Sequence, residues 1–370
     1  MYLNSERQVK DKMMKEACAK APGKLYIAGE YAVTEPGYPA VIVALNRFIH
    51  VRISASSHPF GTMQSSALSD NLLQWTRIDG KITLQDNLES ADILLSALHI
   101  AEQYLVENGY SLSYYDILIE SELTDKTGAK YGLGSSGAVT VAVINALLAS
   151  FSLSVSELTL YKLAALAHMN LNSKGSFGDL ASAAYTGWIA YSSFDKEWVQ
   201  EKQNSLSVSQ LIELEWPQLT IEKLTLPESL ELLIGWTGSP ASTEKLVGSA
   251  KEHKQKQSYK AFLEESKQCV SQLIEGFHTQ EVDSIVEEIR RNREILLKMS
   301  QDNHLVIETP LLKTLCEIAE KYGAASKTSG AGGGDCGIAL LQSSTNKQTI
   351  EEEWKKSAIT LLPFTVYKKY

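Results

Sequence analysis

The chain contains a glycine- and serine-rich loop, Lys130-Tyr131-Gly132-Leu133-Gly134-Ser135-Ser136-Gly137-Ala138, that continues directly into an apolar segment from Val139 to Ala149. The uncharged segment predicts a buried helix that begins in this loop. A helix N-terminus carries unpaired backbone N–H groups and a partial positive charge, and glycine lets a ligand approach the backbone closely. The pattern therefore predicts a phosphate-binding site, in which the Ser135 and Ser136 hydroxyls cap the helix, hold a metal or contact phosphate oxygens.

A glycine-rich loop of this kind also occurs in dinucleotide-binding folds, in P-loops and in ordinary turns. The segment 132–137 matches the G-x-G-x-x-G pattern of dinucleotide-binding folds, in which a strand ends directly at the first glycine. Here the preceding strand is predicted at 114–120, and another helix follows instead of a second parallel strand, which disfavours a dinucleotide-binding oxidoreductase. The chain has no G-x-x-x-x-G-K-[ST] motif, which excludes the usual P-loop. An ordinary glycine-rich turn without a bound ligand is an alternative that the sequence pattern alone does not exclude.

The composition predicts a soluble globular protein. The 370 residues are 44% hydrophobic and 21% charged, which suits about two domains. The net charge of −9 disfavours nucleic acid and anionic membranes as partners. The four cysteines show neither CxxC spacing nor a small disulfide framework, and no N-terminal apolar stretch resembles a signal peptide. We therefore expect a cytoplasmic protein with reduced thiols and no membrane span.

The alternation of strand and helix patterns predicts an α+β chain. Residues 1–16 predict a flexible extension that packs on nothing, because their charges follow no periodicity. Residues 17–225 form the first predicted domain, which contains the glycine loop, and residues 226–370 form the second. The boundary is placed in the mixed polar region that ends near Pro227.

Other candidate residues each have a structural alternative. The Asp179 carboxylate either orients an attacking group in phosphoryl transfer or caps a helix. Lys24 follows Pro-Gly, where a solvated surface lysine is the commoner outcome. The segment 329–337 has four glycines among residues 330–334, which either opens backbone N–H groups to a ligand or makes a flexible surface loop. His168 is interpreted as a helix-end histidine and not as a metal ligand.

Together, three segments resemble the three motifs of the GHMP kinases (galactokinase, homoserine kinase, mevalonate kinase, phosphomevalonate kinase). They are residues 20–33 (KAPGKLYIAGEYAV), 132–137 (GLGSSG) and 329–335 (SGAGGGD), in the family's order. Within the family, the segments GKLYIAGEYAV, GSFGDLAS, LIGWTGSPAST and SGAGGGDCGIAL are most similar to the bacterial phosphomevalonate kinases. The resemblance covers nearly the whole chain and implies a two-domain GHMP kinase fold, with an S5-like N-terminal domain, a ferredoxin-like C-terminal domain and an active site between them.

The resemblance also implies a reaction. ATP, with Mg²⁺, would phosphorylate (R)-5-phosphomevalonate to (R)-5-diphosphomevalonate in the mevalonate pathway of isoprenoid biosynthesis. The partners would be these small molecules, with no nucleic acid and no membrane, and the chain would be a monomer or a homodimer. Mevalonate kinase, another small-molecule kinase of the family, and a non-catalytic sensor with the same fold stay open as alternatives.

The family's motifs imply roles for individual residues. Asp179 takes the place of the catalytic aspartate, and Lys24 takes that of the active-site lysine. The acceptor is expected to contact Lys24, Ser176, Asp179, Thr243, Lys251, Ser329, Gly330 and Ala331. The ATP phosphates are expected at Lys130, Gly132, Leu133, Gly134, Ser135, Ser136 and Gly137.

The metal position departs from the family pattern. Ser136 is the hydroxyl expected near Mg²⁺. Mevalonate kinases carry a second Mg²⁺-binding group, a glutamate eleven residues before the aspartate, where this chain has His168. Neutral imidazole is a poor ligand for a hard cation that prefers oxygen. The metal is therefore expected to rely on Ser136, nucleotide phosphates, water or Asp179.

Overall fold

The computed structural model describes residues 13–65, 69–85, 91–173, 175–238, 257–342 and 347–369. Two β-sheets with packed helices account for most of this part of the chain. The strands of the first sheet are β1 (Ala17–Ala28), β2 (Pro39–Ala55), β3 (Gly61–Ser65), β4 (Ser69–Ile78), β5 (Lys81–Leu84), β6 (Tyr115–Ser121), β7 (Trp188–Ser192) and β8 (Thr220–Leu224). Their order is β5-β4-β3-β6-β2-β7-β8, with β1 also paired to β2.

The long strand β2 organises the first sheet. Residues 40–45 are apolar and fully buried, and residues 49–53 alternate between buried and outward-facing side chains, as a half-exposed strand requires. β1 pairs antiparallel along β2, while β6 pairs with residues 49–55 and β7 with residues 39–43. β1, which carries the first motif, is therefore held along residues 41–53 of β2.

Helices cover the face of the first sheet in two layers. They are α1 (Asp92–Glu107), α2 (Ser135–Ser150), α3 (Glu157–Met169), α4 (Gly178–Tyr185), α5 (Lys196–Gln203) and α6 (Val208–Glu213). α2 and α4 pack on β1 and β2, and α1 and α3 pack on α2. α2 is apolar on most sides because it lies between the sheet and other helices. None of the helices in the described part of the chain combines the length and apolar composition needed to cross a membrane.

The second sheet has a ferredoxin-like arrangement. Its strands are β9 (Leu230–Trp236), β10 (Ala325–Thr328), β11 (Cys336–Gln342) and β12 (Thr360–Leu361), and the helices between them are α7 (Gln257–Thr279), α8 (Val282–Asp302), α9 (Pro310–Lys321) and α10 (Lys347–Lys356). The antiparallel order is β10-β11-β9-β12. A split β-α-β pattern produces this order, because β9 pairs with β11 and not with the next strand in the sequence.

The N-terminal segment contacts the body of the protein. The Lys15 N–H donates to the Ser150 carbonyl at 2.8 Å, and Met14 packs against the core of the first sheet. The expectation that residues 1–16 pack on nothing is therefore wrong for Met14 and Lys15, because the backbone ahead of β1 bonds to the last residue of α2. Residues 1–12 lie outside the described residues.

The C-terminal segment returns from the second sheet to the first. The Tyr367 N–H donates to the Ala44 carbonyl at 2.9 Å, and the Gly187 N–H donates to the Tyr367 carbonyl at 2.6 Å. Phe364 is buried, and its ring contacts Tyr131, with the ring centroids 5.2 Å apart. The last residues of the chain thus pack beside the start of the glycine loop.

Phe364→Ala is expected to lower the free energy of unfolding by about 3–5 kcal/mol, because it leaves a cavity between the C-terminal segment and Tyr131. The change is measured as a shift of the urea midpoint. Thr365→Ala is the control, because the Thr365 side chain is exposed and only its backbone bonds to Asn46. Equal midpoints for the two variants would contradict the packing role of Phe364.

Candidate active site

The glycine loop ends at the first residue of α2, Ser135. Gly134 occupies the N-cap position with φ of 73°, a left-handed conformation that glycine adopts readily. Because Gly134 has no side chain, it cannot cap the helix, and the two serines lie in the first turn and not at the cap. Neither serine hydroxyl therefore caps α2, which was one of the functions predicted for them. Ser136 is exposed at this helix end.

The N-terminus of α2 lies against Lys24 and Asp179. A Cβ at Gly134 would lie 2.9 Å from Lys24 Cε, and a Cβ at Gly137 would lie 2.5 Å from Asp179 Oδ2. The Lys24 N–H also donates to the Leu133 carbonyl at 2.8 Å. The structure therefore places the predicted lysine, aspartate and glycine loop together, and the glycines make room for the two charged side chains.

Lys24 is a half-buried cation on β1. Its Nζ lies 5.2 Å from the centroid of the Tyr26 ring. Burial lowers the pKa of Lys24 because it removes water from the ammonium group, and the negative charge of Asp179 acts in the opposite direction. Asp179 therefore favours the charged form of the lysine.

Asp179 is the second residue of α4 and does not cap it. The N-cap residue is Phe177, with φ of 62°, which is unusual for a bulky side chain. Asp179 Oδ1 accepts from the Leu180 N–H at 3.0 Å, and Oδ2 faces Gly137. The alternative of Asp179 as a helix cap is therefore wrong, because the chain enters the helix two residues earlier.

Ser176 belongs to a hydroxyl network that the sequence did not indicate. The Tyr26 hydroxyl lies 2.7 Å from Ser176 Oγ, and the Tyr191 hydroxyl donates to the Ser176 carbonyl at 2.6 Å. Burial raises the pKa of Tyr26 well above its ordinary value, so this tyrosine stays neutral. Tyr26 alternates with Lys24 along β1, and that spacing is the one signal in the sequence that would have found it.

The loop of the third motif is fastened to the first sheet. Ser329 Oγ donates to the Tyr26 carbonyl at 2.8 Å, and the Tyr31 hydroxyl donates to the Ala331 carbonyl at 2.6 Å. Gly330 lies between these anchors, and a Cβ added there would meet nothing within 4 Å. The hydroxyl of Ser329, predicted to contact the acceptor, bonds to the protein backbone in this structure.

A buried ion pair joins the same two parts of the chain. Lys327 on β10 donates to the Glu30 carboxylate, and their side chains are 0% and 2% exposed. Lys327 also donates to the Thr328 carbonyl at 2.7 Å. Buried charges require such partners, so this pair fixes the base of the third loop beside β1.

Two predicted residues cannot be placed. Thr243 and Lys251 lie outside the described residues. Lys130 is exposed at the start of the glycine loop, where its backbone forms an isolated β-bridge with Thr124.

Asp335 of the third motif lies close to the glycine loop. A Cβ added at Gly132 would lie 2.5 Å from Asp335 Cγ. Asp335 is the last residue of the third motif and has no role predicted from the sequence.

Comparison with known proteins identifies the family. The family model of the GHMP kinases N terminal domain matches residues 93–187, and that of the GHMP kinases C terminal matches residues 260–360. The chain is 36% identical to the phosphomevalonate kinase of a Streptomyces species over 358 residues, which cover 93% of this chain and 96% of the relative. The chain belongs to the GHMP kinases.

Other members support the fold of this GHMP kinase. The structure of Streptococcus pneumoniae phosphomevalonate kinase in complex with phosphomevalonate and AMPPNP matches with a TM-score of 0.83 at 30% identity, covering 95% of this chain and 99% of that one. The mevalonate kinase of Pyrococcus horikoshii is 25% identical over 334 residues, which cover 89% of each protein. The two-domain GHMP kinase fold expected from the three motifs is confirmed.

The residues beside α2 fit a magnesium ion that binds together with a nucleotide. The described residues contain no group of three or more His, Cys, Asp or Glu side chains suited to a metal. They do supply the exposed Ser136 hydroxyl and the Asp179 carboxylate, which fills the space of a Cβ at Gly137. Mg²⁺ in such sites takes one or two carboxylates and completes its shell with phosphates and water. The one hydroxyl and one carboxylate of this GHMP kinase agree with a site in which phosphates and water supply the other ligands.

Gly137→Ala is expected to lower kcat by about tenfold or more, because the new methyl group displaces the Asp179 carboxylate and small misplacements in a site are costly. Steady-state kinetics and a melting temperature measure the effect. Gly175→Ala is the matched control in the same region, because its nearest neighbour would lie at 3.5 Å, an ordinary contact. A Gly137→Ala enzyme with unchanged kcat would contradict the close approach of Asp179.

Proposed function

We propose that this GHMP kinase transfers the γ-phosphoryl group of ATP to the phosphate of (R)-5-phosphomevalonate. An acceptor phosphate oxygen forms the new P–O bond, the bond between the β- and γ-phosphates breaks, and ADP leaves. The observation that carries the proposal is the contact of the glycine loop with Lys24 and Asp179. The phosphomevalonate kinase relatives, one of them bound to phosphomevalonate and AMPPNP, support the choice of both substrates.

The chemistry of the acceptor suits this site. A phosphate monoester has a second pKa of roughly 6, so its attacking oxygen is largely deprotonated near neutral pH. The main obstacle is the repulsion between two polyanions that must meet in line, and positioning and charge neutralisation overcome it. Lys24 would neutralise charge between donor and acceptor. Asp179 would hold the lysine charged and oriented.

The glycine loop would bind the nucleotide phosphates through backbone N–H groups at the start of α2. Mg²⁺, when bound, would neutralise phosphate charge, with Ser136 and Asp179 as the protein groups that hold it. Ser176 would contact the acceptor beside Asp179. Its backbone carbonyl is held by Tyr191 and its hydroxyl by Tyr26, which gives it a fixed orientation.

We infer a division into domains at residues 225 and 226, between β8 and β9. The contacts of Thr243 and Lys251 with the acceptor phosphate stay predictions from the sequence, as do a cytoplasmic location and a monomeric or homodimeric state.

A coupled assay of ADP release tests the proposed reaction. Phosphomevalonate is expected to support turnover, and mevalonate, homoserine and galactose are not, because these three lack the acceptor phosphate, whose attacking oxygen is already deprotonated near neutral pH. Faster turnover with mevalonate would make the protein a mevalonate kinase. Absence of ADP formation with every acceptor would favour a non-catalytic sensor and refute the proposal.

Asp179→Asn is expected to reduce kcat about a hundredfold or more while AMPPNP still binds. The substitution should also lower the pKa of Lys24 further, because the carboxylate that favours the ammonium form is lost. The pH dependence of Lys24 acylation, followed by mass spectrometry, measures this second effect. Glu120→Gln, an exposed carboxylate on β6, is the control. Near-normal turnover of Asp179→Asn would remove Asp179 from its proposed role.

A further inference from the structure

His168 lies in the last turn of α3 and is buried, with 8% of its surface exposed. Its Nε2 lies 3.0 Å from Thr140 Oγ1, and Thr140 Oγ1 lies 2.9 Å from the Ser136 carbonyl. A carbonyl oxygen only accepts, so the hydroxyl proton of Thr140 goes to Ser136. The Thr140 oxygen is then the acceptor for His168, which places a proton on Nε2.

The His168 ring also contacts the residue that starts α4. Its ring centroid lies 6.0 Å from that of Phe177, in an edge-to-face arrangement. Phe177 is the N-cap of α4, held in a left-handed conformation, and Asp179 follows two residues later. His168 therefore lies between the first turn of the phosphate-binding helix and the turn that presents the aspartate.

The bond from Thr140 to Ser136 matters for the direction of the first turn. A threonine hydroxyl that bonds to the carbonyl four residues earlier often changes the local direction of a helix. Thr140 is completely buried, so its oxygen can accept only from a donor inside the protein, and His168 Nε2 supplies that donor. Burial lowers the pKa of His168, and the negative charge of Asp179 opposes this effect without cancelling it. The lowered pKa favours the neutral imidazole, which donates through Nε2.

We propose that His168 is a positioning residue, which acts through Thr140 to fix the first turn of α2 relative to Asp179. Ser136 and the backbone N–H groups of the first turn are the groups whose orientation depends on it. The inference rests on the proposed ATP-dependent reaction.

Four variants separate this role from plain stability. Thr140→Val and His168→Leu each remove one partner, whereas Thr140→Ser and His168→Gln keep a hydroxyl and an N–H donor. Thr140→Val and His168→Leu are each expected to raise the KM for ATP and the Kd of AMPPNP about tenfold, because the misaligned groups bind the nucleotide phosphates. The KM for phosphomevalonate should stay nearly unchanged.

Thr140→Ser and His168→Gln are expected to keep the KM for ATP and the Kd of AMPPNP within about twofold of wild type. The double variant Thr140→Val/His168→Leu is expected to be no worse than either single variant, because the two residues act as a unit.

Thr314→Val is the matched control. Thr314 Oγ1 makes the same kind of bond, at 3.0 Å to the Pro310 carbonyl, on the exposed surface of α9. The Thr314→Val variant is expected to bind AMPPNP with the same Kd as wild type. If His168→Leu does not fold, Thr140→Val and Thr140→Ser decide the question, because both keep the ring.

Folded variants that melt earlier but bind AMPPNP like wild type would overturn the inference and leave His168 a structural residue. Additive losses in the double variant would overturn it as well. Wild-type protein that binds AMPPNP but does not turn over phosphomevalonate would refute the proposed reaction. The binding measurements would still decide the role of His168.

Discussion

The close approach of α2 to Lys24 and Asp179 is the constraint on which the site depends. A side chain at residue 134 or 137 would occupy the space of the lysine or of the carboxylate. The charged groups can therefore reach the helix N-terminus only because two glycines stand there. α2 is apolar on most sides because it lies between the first sheet and the helices α1 and α3, which leaves little of its surface for water. The close packing of α2 and the approach of the two charged side chains thus depend on the same two glycines.

The second sheet completes this arrangement through its loop between β10 and β11. The buried pair of Lys327 and Glu30, the bond from Ser329 to the Tyr26 carbonyl and the bond from Tyr31 to the Ala331 carbonyl all join this loop to the segment 26–31. Such bonds hold a glycine-rich loop that would otherwise have many conformations. The loop is therefore a defined wall of the site and not a flexible surface loop, the alternative that its composition had left open.

The sequence predicted those features that depend on local pattern. The apolar run after residue 137 predicted α2, and the three motifs predicted the fold. The resemblance of residues 178–181 to the family predicted that Asp179 shares a site with Lys24. Contacts between distant side chains were not predictable, because no local pattern distinguishes them. Thr140 was one polar residue in an apolar run, and its bond to His168 depends on how α3 crosses α2. Asp179 was a possible cap because aspartate is favoured there, but the left-handed Phe177 starts the helix earlier.

The bonds of Tyr367 to Ala44 and Gly187 have a consequence for how the protein is made. During synthesis the first sheet emerges from the ribosome long before residues 364–369, which contact β2 and the residue ahead of the glycine loop. The nascent first sheet therefore lacks the hydrogen bonds of Tyr367 until residues 364–369 have also left the ribosome. A chain that stops before residue 364 would lack the contact of Phe364 with Tyr131, and the start of the glycine loop would lose one of its packing partners.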